Sequence, residues 1–294
     1  MRIIPPSELI INDDGSVFHL HLRPEQLADI VLLVGDPGRV ELVASRFESR
    51  ECEVENREFR SVTGLYKGRR MTILSTGIGV GNIDITMTEI DALANVDFER
   101  RCVKDKFKQL TIVRLGTSGG LQSDIKVGDM VFARTSLGFD GLLSYYAGNE
   151  QVRDLALERA FKSHTQWSGD FPPLYAVDAD EQLAALFADC TMEGITIASP
   201  GFYAPQGRSV RLRPVDEVLN SKIESFIYDG QRRVTNYEME SSVLAGMARL
   251  MGHRGATICT IIAQRVVEDM CTDYHPFVEQ MIDMVLNRLA NVRD

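Results

Sequence analysis

Short apolar runs rich in β-branched residues recur along the chain, and several of them end at a glycine or a charged turn. This pattern is typical of buried β-strands. The runs that predict strands are 30–34, 62–66, 71–75, 110–115, 128–133, 194–198 and 256–263. The sequence Lys-Gly-Arg-Arg at 67–70 joins the second and third runs and predicts a hairpin.

Apolar residues at helical spacing fill the intervals between these strands. Pro37 suits the first turn of a helix, and the apolar positions of 40–47 continue it. Further helices are predicted from about 81 to 95, over 149–163, over 179–189, up to about 251 and over 273–291. The segment 98–108 has seven charged residues among eleven and predicts a solvated helix end or a loop.

Strands and helices alternate through residues 1–294 without a linker, a low-complexity tract or an internal repeat. We therefore predict an α/β fold, with a single three-layer αβα domain in which helices cover both faces of a central mixed sheet. Residues 1–28 precede the first strand, and we predict that they form an irregular N-terminal arm.

The composition is that of an ordinary globular protein with an acidic balance. Of 294 residues, 44% are hydrophobic and 25% are charged, and 32 Lys and Arg face 42 Asp and Glu for a net charge of −10. This balance argues against a nucleic-acid partner. Any anionic ligand therefore needs a local basic pocket.

Cysteine usage and hydropathy indicate the cellular compartment in which the protein is expected. The five cysteines are scattered, odd in number and without a C-x-x-C pair, which favours a reduced, cytoplasmic setting over a disulfide scaffold. We find no signal-peptide pattern after Met1 and no run of eighteen apolar residues, so no membrane partner is expected.

The stretch 110–120 combines a predicted strand with candidate chemistry. Arg114 precedes a predicted glycine turn, where the hydroxyls of Thr117 and Ser118 and the backbone N–H groups are open to close approach. Together they have the parts of an anion site, with phosphate as its natural occupant. The alternative is an ordinary strand end with Arg114 in solvent.

A second strand end carries an arginine in Gly35-Asp36-Pro37-Gly38-Arg39, at a predicted helix N-terminus. The free N–H groups and partial positive charge of such a terminus also suit an anion. The alternative is a tight turn with Arg39 on the surface. The glycines of 77–81 do not form the dinucleotide fingerprint, and no P-loop occurs, so neither NAD nor ATP is expected as a cofactor.

Two further segments carry polar groups suited to a small polar ligand. In 202–208, Gln206 and Arg208 place an amide beside a guanidinium, which matches the edge of a pyrimidine ring; the alternative is a plain surface loop. In 236–242, two carboxylates precede a helix. Glu238 and Glu240 are either favourable charges at a helix N-terminus or acceptors for sugar hydroxyls.

Several isolated charged residues complete the candidates. Arg265 follows the strand 256–263, and Arg57 with Glu58 forms a charged pair in 56–59, a candidate edge strand. His19 and His21 would share one face if the arm is extended. A metal at this His-x-His pair lacks further ligands at a recognisable spacing, and surface histidines are the alternative.

Six motifs in this order resemble the nucleoside phosphorylase-I family over nearly the whole chain, from about Phe18 to the last helix. They are Gly-Asp-Pro-x-Arg (35–39), Asn-Arg-Glu-Phe (56–59), Ser-Thr-Gly-Ile-Gly (75–79), Arg-Leu-Gly-Thr-Ser-Gly (114–119), Phe-Tyr-x-x-Gln-x-Arg (202–208) and Asn-x-Glu-Met-Glu-Ser (236–241).

The resemblance implies a role for each matching residue. The residues it assigns to phosphate are Gly35, Arg39, Arg57, Arg114 and Thr117, with Arg57 lent across a dimer interface by a second subunit. Those it assigns to the ribose are Met239, Glu240 and His19, which resembles the histidine that a neighbouring subunit sends to the 5′-hydroxyl. Those it assigns to the base are Phe202, Gln206, Arg208 and Arg265. Glu58 and Ser75 match positions that bind a monovalent cation, such as potassium, between subunits of some members.

The same resemblance implies catalysis by Arg114, Thr117, Glu240 and Arg208, with inorganic phosphate as co-substrate and no cofactor. The pair Gln264-Arg265 stands where purine-specific members carry an aspartate, which favours uridine as the substrate. Purine phosphorolysis, hydrolysis by water in place of phosphate, and non-catalytic nucleoside binding remain as alternatives. A homo-oligomer is implied, with the arm 1–28 at a subunit interface, but the sequence does not choose between dimer and hexamer.

Overall fold

A computed structural model describes residues 2–266 and 269–292 of the chain. The strands are β1 Ile30–Val34, β2 Ser49–Asn56, β3 Phe59–Tyr66, β4 Arg69–Ser75, β5 Val96–Asp97, β6 Cys102–Val103, β7 Thr111–Gly120, β8 Met130–Gly138, β9 Tyr175–Asp178, β10 Met192–Ala198, β11 Ile227–Tyr228, β12 Arg232–Glu238, β13 Arg254–Gln264 and β14 Asp269–Met270. The α-helices are α1 Pro37–Ala44, α2 Val80–Asn95, α3 Leu155–Thr165, α4 Glu181–Phe187, α5 Leu219–Glu224, α6 Ser241–Met251 and α7 His275–Ala290.

Strand β1 shows how the sheet comes to be covered on both faces. All five of its side chains are buried, and successive side chains point to opposite faces. Ile30, Leu32 and Val34 pack in one core with α1, α4 and α7, whereas Val31 and Leu33 pack in the other with α2 and α6. The predicted α/β fold with a central mixed sheet between helical layers is confirmed.

The sheet curls into a closed ring beside β1. Strands β12, β10, β8, β13 and β7 pair in that order, and β12 also pairs with β7. The last pairing is antiparallel and joins Tyr237 to Gly119 and Asn236 to Gly120. The ring places the end of β12 beside β7, where residues 238–240 run back towards Arg114.

The predicted turn after Leu115 is wrong. Strand β7 continues through the glycines to Gly120, because these residues pair with β13 on one side and β12 on the other. The glycines make room for neighbouring side chains: a Cβ on Gly119 would lie 3.4 Å from Arg265 Cδ. The small residues in this part of β7 therefore allow neighbouring strands to pack closely, and they also leave the strand surface open to close approach.

Some elements escape prediction because they lack an apolar run. Strand β2 is largely exposed and carries alternating charges, and β12 begins with two arginines. The edge strand expected over 56–59 is wrong in its bounds, because Arg57 and Glu58 form the turn between β2 and β3. Of the two alternatives predicted for 98–108, the helix end is wrong and the loop is correct in part: β5 and β6 pair as a short hairpin around 98–101, and 104–108 form neither helix nor strand.

The N-terminal arm is largely irregular, as predicted, with one isolated bridge between Ile11 and Val17. His19 and His21 do not lie on an extended strand: residues 18–20 form a turn, and His21 has a φ of 52°. The face that they were predicted to share is therefore absent. Within the described residues, no helix is long and apolar enough to cross a membrane.

Candidate active site

The guanidinium of Arg114 lies between two carboxylates at the point where β12 meets β7. Its Nη2 donates to Glu240 Oε2, and its Nη1 lies 3.4 Å from Glu238 Oε2. The Arg114 side chain is 6% exposed, so all three charges are buried. Burial lowers the pKa of Arg114, but the charges of Glu240 and Glu238 outweigh burial and raise it above its ordinary value.

Glu238 fixes the chain as it enters helix α6. Its carboxylate accepts from the backbone N–H of Glu240 at 2.8 Å and of Ser241 at 2.9 Å, and from Ser241 Oγ at 2.6 Å. Burial raises the pKa of Glu238, against the opposing charge of Arg114. Glu238 therefore holds the backbone that positions Glu240.

A backbone amide from a third segment also holds Glu240. The N–H of Gly79, just before helix α2, donates to Glu240 Oε1 at 2.6 Å. Each Glu240 oxygen therefore has one partner, an amide or a guanidinium. A carboxylate has about four acceptor sites, so Glu240 keeps capacity for hydroxyl donors of a ligand.

Arg39 and Gly35 lie beside Arg114, as the strand ends predicted. Arg39 lies in the first turn of α1, where Asp36 caps the helix by accepting from Gly38 N at 2.9 Å. Arg39 Nη1 donates to Leu115 O at 3.2 Å. Burial, and then the charge of Arg114, lower the pKa of Arg39. Two guanidiniums thus face one region, and an anion there would relieve their repulsion.

The remaining residues assigned to this region lie on the same segments of the chain as Arg114, Arg39 and Glu240. A Cβ on Gly35 would lie 3.9 Å from Arg114 Nη2 and 3.5 Å from Gly77 O, so the backbone passes close to the guanidinium. Thr117 is half-buried on β7, three residues beyond Arg114. Met239 is half-buried and stands between Glu238 and Glu240 in the sequence.

The loop after β10 forms a second polar cluster. Gln206 is 3% exposed, and its Oε1 accepts from Arg208 Nη1 at 2.5 Å. Arg208 also donates to Phe202 O at 2.6 Å and lies 3.8 Å above the ring of Phe202, a cation–π contact. Burial, and then the charge of Arg265, lower the pKa of Arg208 to about 10.

Arg265 connects this cluster to the strands of the first. Its backbone N–H donates to Gly120 O at 3.0 Å, and its guanidinium lies 5.3 Å from the ring of Tyr237, the residue before Glu238. Burial lowers the pKa of Arg265. Its Nη1 is buried without a hydrogen-bond partner in the described part of the chain. Such a donor calls for an acceptor from a ligand.

His19, Arg57, Glu58 and Ser75 lie outside these two clusters. His19 pairs with Glu89 through Nδ1 at 2.6 Å, and the exposed Arg57 lies 5.7 Å from the ring of Phe18. Ser75 Oγ donates to Glu58 O at 2.6 Å. Among residues 2–266 and 269–292, no cluster of three or more His, Cys, Asp or Glu is suited to a metal ion.

The sequence alone does not predict the contact of Glu238 with Arg114 or the role of the Gly79 amide. It predicts Glu238, like Glu240, as a favourable charge at a helix N-terminus or an acceptor for sugar hydroxyls, yet its carboxylate is 1% exposed and contacts Arg114. A carboxylate at the end of a strand that buries Thr235, Asn236 and Tyr237 is the signal that could have found it.

The arrangement combines three chemical capacities within one set of strands. Arg39 and Arg114 can hold an anion, Glu240 can accept from hydroxyl groups, and Gln206, Arg208 and Arg265 can bind the polar edge of a ring. The residues that can hold an anion and the acceptor for hydroxyl groups meet directly at the Arg114–Glu240 contact. A nucleoside placed beside an anion would satisfy all three groups.

Comparison with known proteins agrees with this arrangement. A uridine phosphorylase of Thermococcus kodakarensis is 29% identical over 264 residues, which cover 87% of this chain and 80% of that protein. A guanosine phosphorylase of Halorubrum lacusprofundi is 26% identical, over 83% of this chain and 81% of that protein.

A solved structure extends the similarity to the whole fold. A Trypanosoma brucei nucleoside phosphorylase that shows uridine phosphorylase activity is similar with a TM-score of 0.85 and 26% identity, over 97% of this chain and 100% of that one. The profile of the phosphorylase superfamily matches residues 29–292. With that match and the six motifs in order, the chain belongs to the phosphorylase superfamily.

Proposed function

We propose that this protein is a uridine phosphorylase, a pentosyltransferase that converts uridine and inorganic phosphate reversibly to uracil and ribose 1-phosphate. The observation that carries the proposal is the position of Glu240 on Arg114, which joins an anion site to a hydroxyl acceptor. The uridine phosphorylase from T. kodakarensis and the T. brucei enzyme support the same substrate.

Phosphate lies against Arg39 and Arg114, with the backbone at Gly35 and the hydroxyl of Thr117 completing its site. One phosphate oxygen attacks the anomeric carbon of the ribose as the glycosidic bond to N1 of uracil breaks. Glu240 accepts from the 2′- and 3′-hydroxyls and fixes the sugar, with Met239 packed beside it. The phosphate dianion both provides the nucleophile and stabilises the positive charge that develops on the ring.

Uracil departs as an anion with its charge spread over the ring oxygens. Arg208 and Arg265 hold this charge, Gln206 binds the polar edge, and Phe202 packs against the base or the sugar. The electron pair of the breaking bond stays on uracil, so no strong general acid is required. Glutamine and arginine at 264–265, in place of an acid, favour a pyrimidine over a purine that needs protonation.

The site is completed by a second copy of the chain. In this proposal His19 and Arg57 reach the ribose and phosphate of the neighbouring subunit, and the arm 1–28 lies at the interface. Both side chains lie apart from the clusters of their own chain, which supports this assignment. A monovalent cation, such as potassium, binds between subunits at Glu58 and Ser75, and the enzyme acts in the cytoplasm in pyrimidine salvage.

The test is release of the free base from uridine, inosine and adenosine, each with and without phosphate. Uracil release from uridine that requires phosphate or arsenate is the expected result. Faster release from a purine nucleoside would replace the proposal with a purine nucleoside phosphorylase. Release without phosphate would indicate a nucleosidase, and nucleoside binding without release would indicate a non-catalytic binding protein.

Replacing Gln206 with alanine is expected to weaken discrimination for uridine. The buried amide lies beside Arg208, so its loss removes a hydrogen bond to the base worth about 1 kcal/mol. The ratio of kcat/KM for uridine to that for inosine should fall about fivefold. Gln231→Ala, in an exposed turn, is the matched control, and an unchanged ratio in Gln206→Ala would remove Gln206 from the base site.

A further inference from the structure

Glu89 has no part in the chemistry above, yet it makes several contacts to the N-terminal arm from a buried position. It lies on α2 and is 7% exposed. Its carboxylate accepts from the backbone N–H of His19 at 3.0 Å and of Leu20 at 2.9 Å. It also accepts from His19 Nδ1 at 2.6 Å. One side chain thus fixes both the backbone and the ring of His19.

We infer that Glu89 is a positioning residue that holds His19 with Nε2 free to accept a hydrogen bond from the 5′-hydroxyl of a nucleoside in a second copy of the chain. The inference rests on the proposed function. It concerns how this chain prepares His19, and it assigns Glu89 no contact with substrate.

The argument follows from the donors and acceptors available. An ionised carboxylate only accepts, so Nδ1 of His19 must carry the hydrogen that lies between them. In the neutral imidazole the lone pair is then on Nε2, which becomes an acceptor. The same arrangement, in which a carboxylate sets the tautomer and the ring orientation, is familiar from metal-bound histidines.

The surroundings of His19 hold the ring and leave Nε2 unoccupied. Asn56 Nδ2 donates to His19 O at 2.8 Å, and the ring lies edge-to-face with Phe18 at 4.9 Å. The His19 side chain is 28% exposed, and Nε2 makes no hydrogen bond within the described residues. A ring fixed by this many contacts, with one nitrogen left over, is suited to a partner outside its own chain.

The test compares uridine with 5′-deoxyuridine as substrates. In Glu89→Gln the side-chain amide can donate to Nδ1, which favours hydrogen on Nε2 and removes the acceptor. We expect kcat/KM for uridine to fall about fivefold, by the usual size of one lost hydrogen bond, and that for 5′-deoxyuridine to stay unchanged. In a His19→Ala background, Glu89→Gln should add no further loss.

Asp91→Asn is the matched control. Asp91 lies on the same helix and pairs with a different histidine, His253 Nε2, at 3.1 Å. It should leave the ratio between the two substrates unchanged. An equal loss with both substrates in Glu89→Gln, or none with either, overturns the inference, because a purely structural role does not depend on the 5′-hydroxyl.

A measurement on the unmodified protein covers the case in which Glu89→Gln does not fold. The ¹⁵N spectrum of the imidazole rings should show His19 with hydrogen on Nδ1, assigned by its loss in His19→Ala. Hydrogen on Nε2 alone overturns the inference. If the unmodified protein shows no phosphate-dependent release of uracil, the proposed function fails and the inference with it. If uracil release depends on phosphate but the His19 tautomer or the comparison of the two substrates contradicts the expectation, only the inference fails and the proposed function stands.

Discussion

Replacing Arg114 with lysine is expected to reduce kcat/KM for uridine phosphorolysis by about 10²–10³-fold. The KM for phosphate should rise by a similar factor. A buried guanidinium that stabilises charge in the transition state contributes about 2.7–4 kcal/mol. Its planar set of donors can contact phosphate and Glu240 in the same plane, which the ammonium of lysine cannot do. The lysine retains the positive charge between Glu238 and Glu240, so the fold should survive. Steady-state kinetics with varied phosphate measures the effect.

Arg114→Ala is expected to abolish turnover and also to destabilise the protein. It leaves two carboxylates buried without their cation, a change that typically costs about 3–5 kcal/mol. Arg288→Ala is the control, because Arg288 lies on α7 and forms an exposed pair with Asp189, and its loss should leave both kinetics and stability near those of the parent. Ordinary kinetics in Arg114→Lys would show that Arg114 does not hold phosphate.

Replacing Gly116 with alanine is expected to lower the free energy of unfolding by about 1–3 kcal/mol, as overpacking of a full core does. A Cβ at this position would lie 2.5 Å from Arg114 Nη1 and 2.7 Å from Cys259 Sγ. Both atoms must move, so the guanidinium should shift and phosphorolysis should fall as well. Chemical denaturation gives the stability and kinetics with varied phosphate gives the second effect.

Gly120→Ala is the control on the same strand. Its Cβ would lie no nearer than 3.5 Å to Ile125 Cγ2 and Ile261 Cγ2, an ordinary contact. The stability loss in Gly120→Ala should therefore be clearly the smaller of the two. Equal losses would mean that lack of space beside Arg114 is not the reason for glycine at 116.

The fold was predictable to the extent that burial leaves a pattern in the sequence. Strand β1, for example, is apolar throughout because it is covered on both faces. β2 and β12 were not predicted because neither contains an apolar run: β2 alternates charged and half-buried side chains, and β12 begins with two arginines. The closure of β12 on β7 depends on a long-range register that no local propensity encodes.

The candidate site was predictable where each residue follows a strand. Gly35 and Arg265 directly follow strands, Arg114 lies within β7, and Arg39 lies in the helix that follows β1, so sheet topology brings them together. The pairing of Arg114 with two carboxylates was not predictable, because it depends on where the chain goes after Glu238. The role proposed for Arg57, at the phosphate of a neighbouring subunit, does not follow from contacts within one chain.

The antiparallel contact of Gly119 with Tyr237 also has a consequence for how the molecule is made. The two residues are brought together across more than a hundred positions of sequence, and closing so long a loop costs chain entropy before any contact repays it. We therefore expect a nascent chain to lack the complete pocket until β12 and β13 have been synthesised. Ligand affinity should appear only once β12 has paired with β7 and the ring of strands has closed.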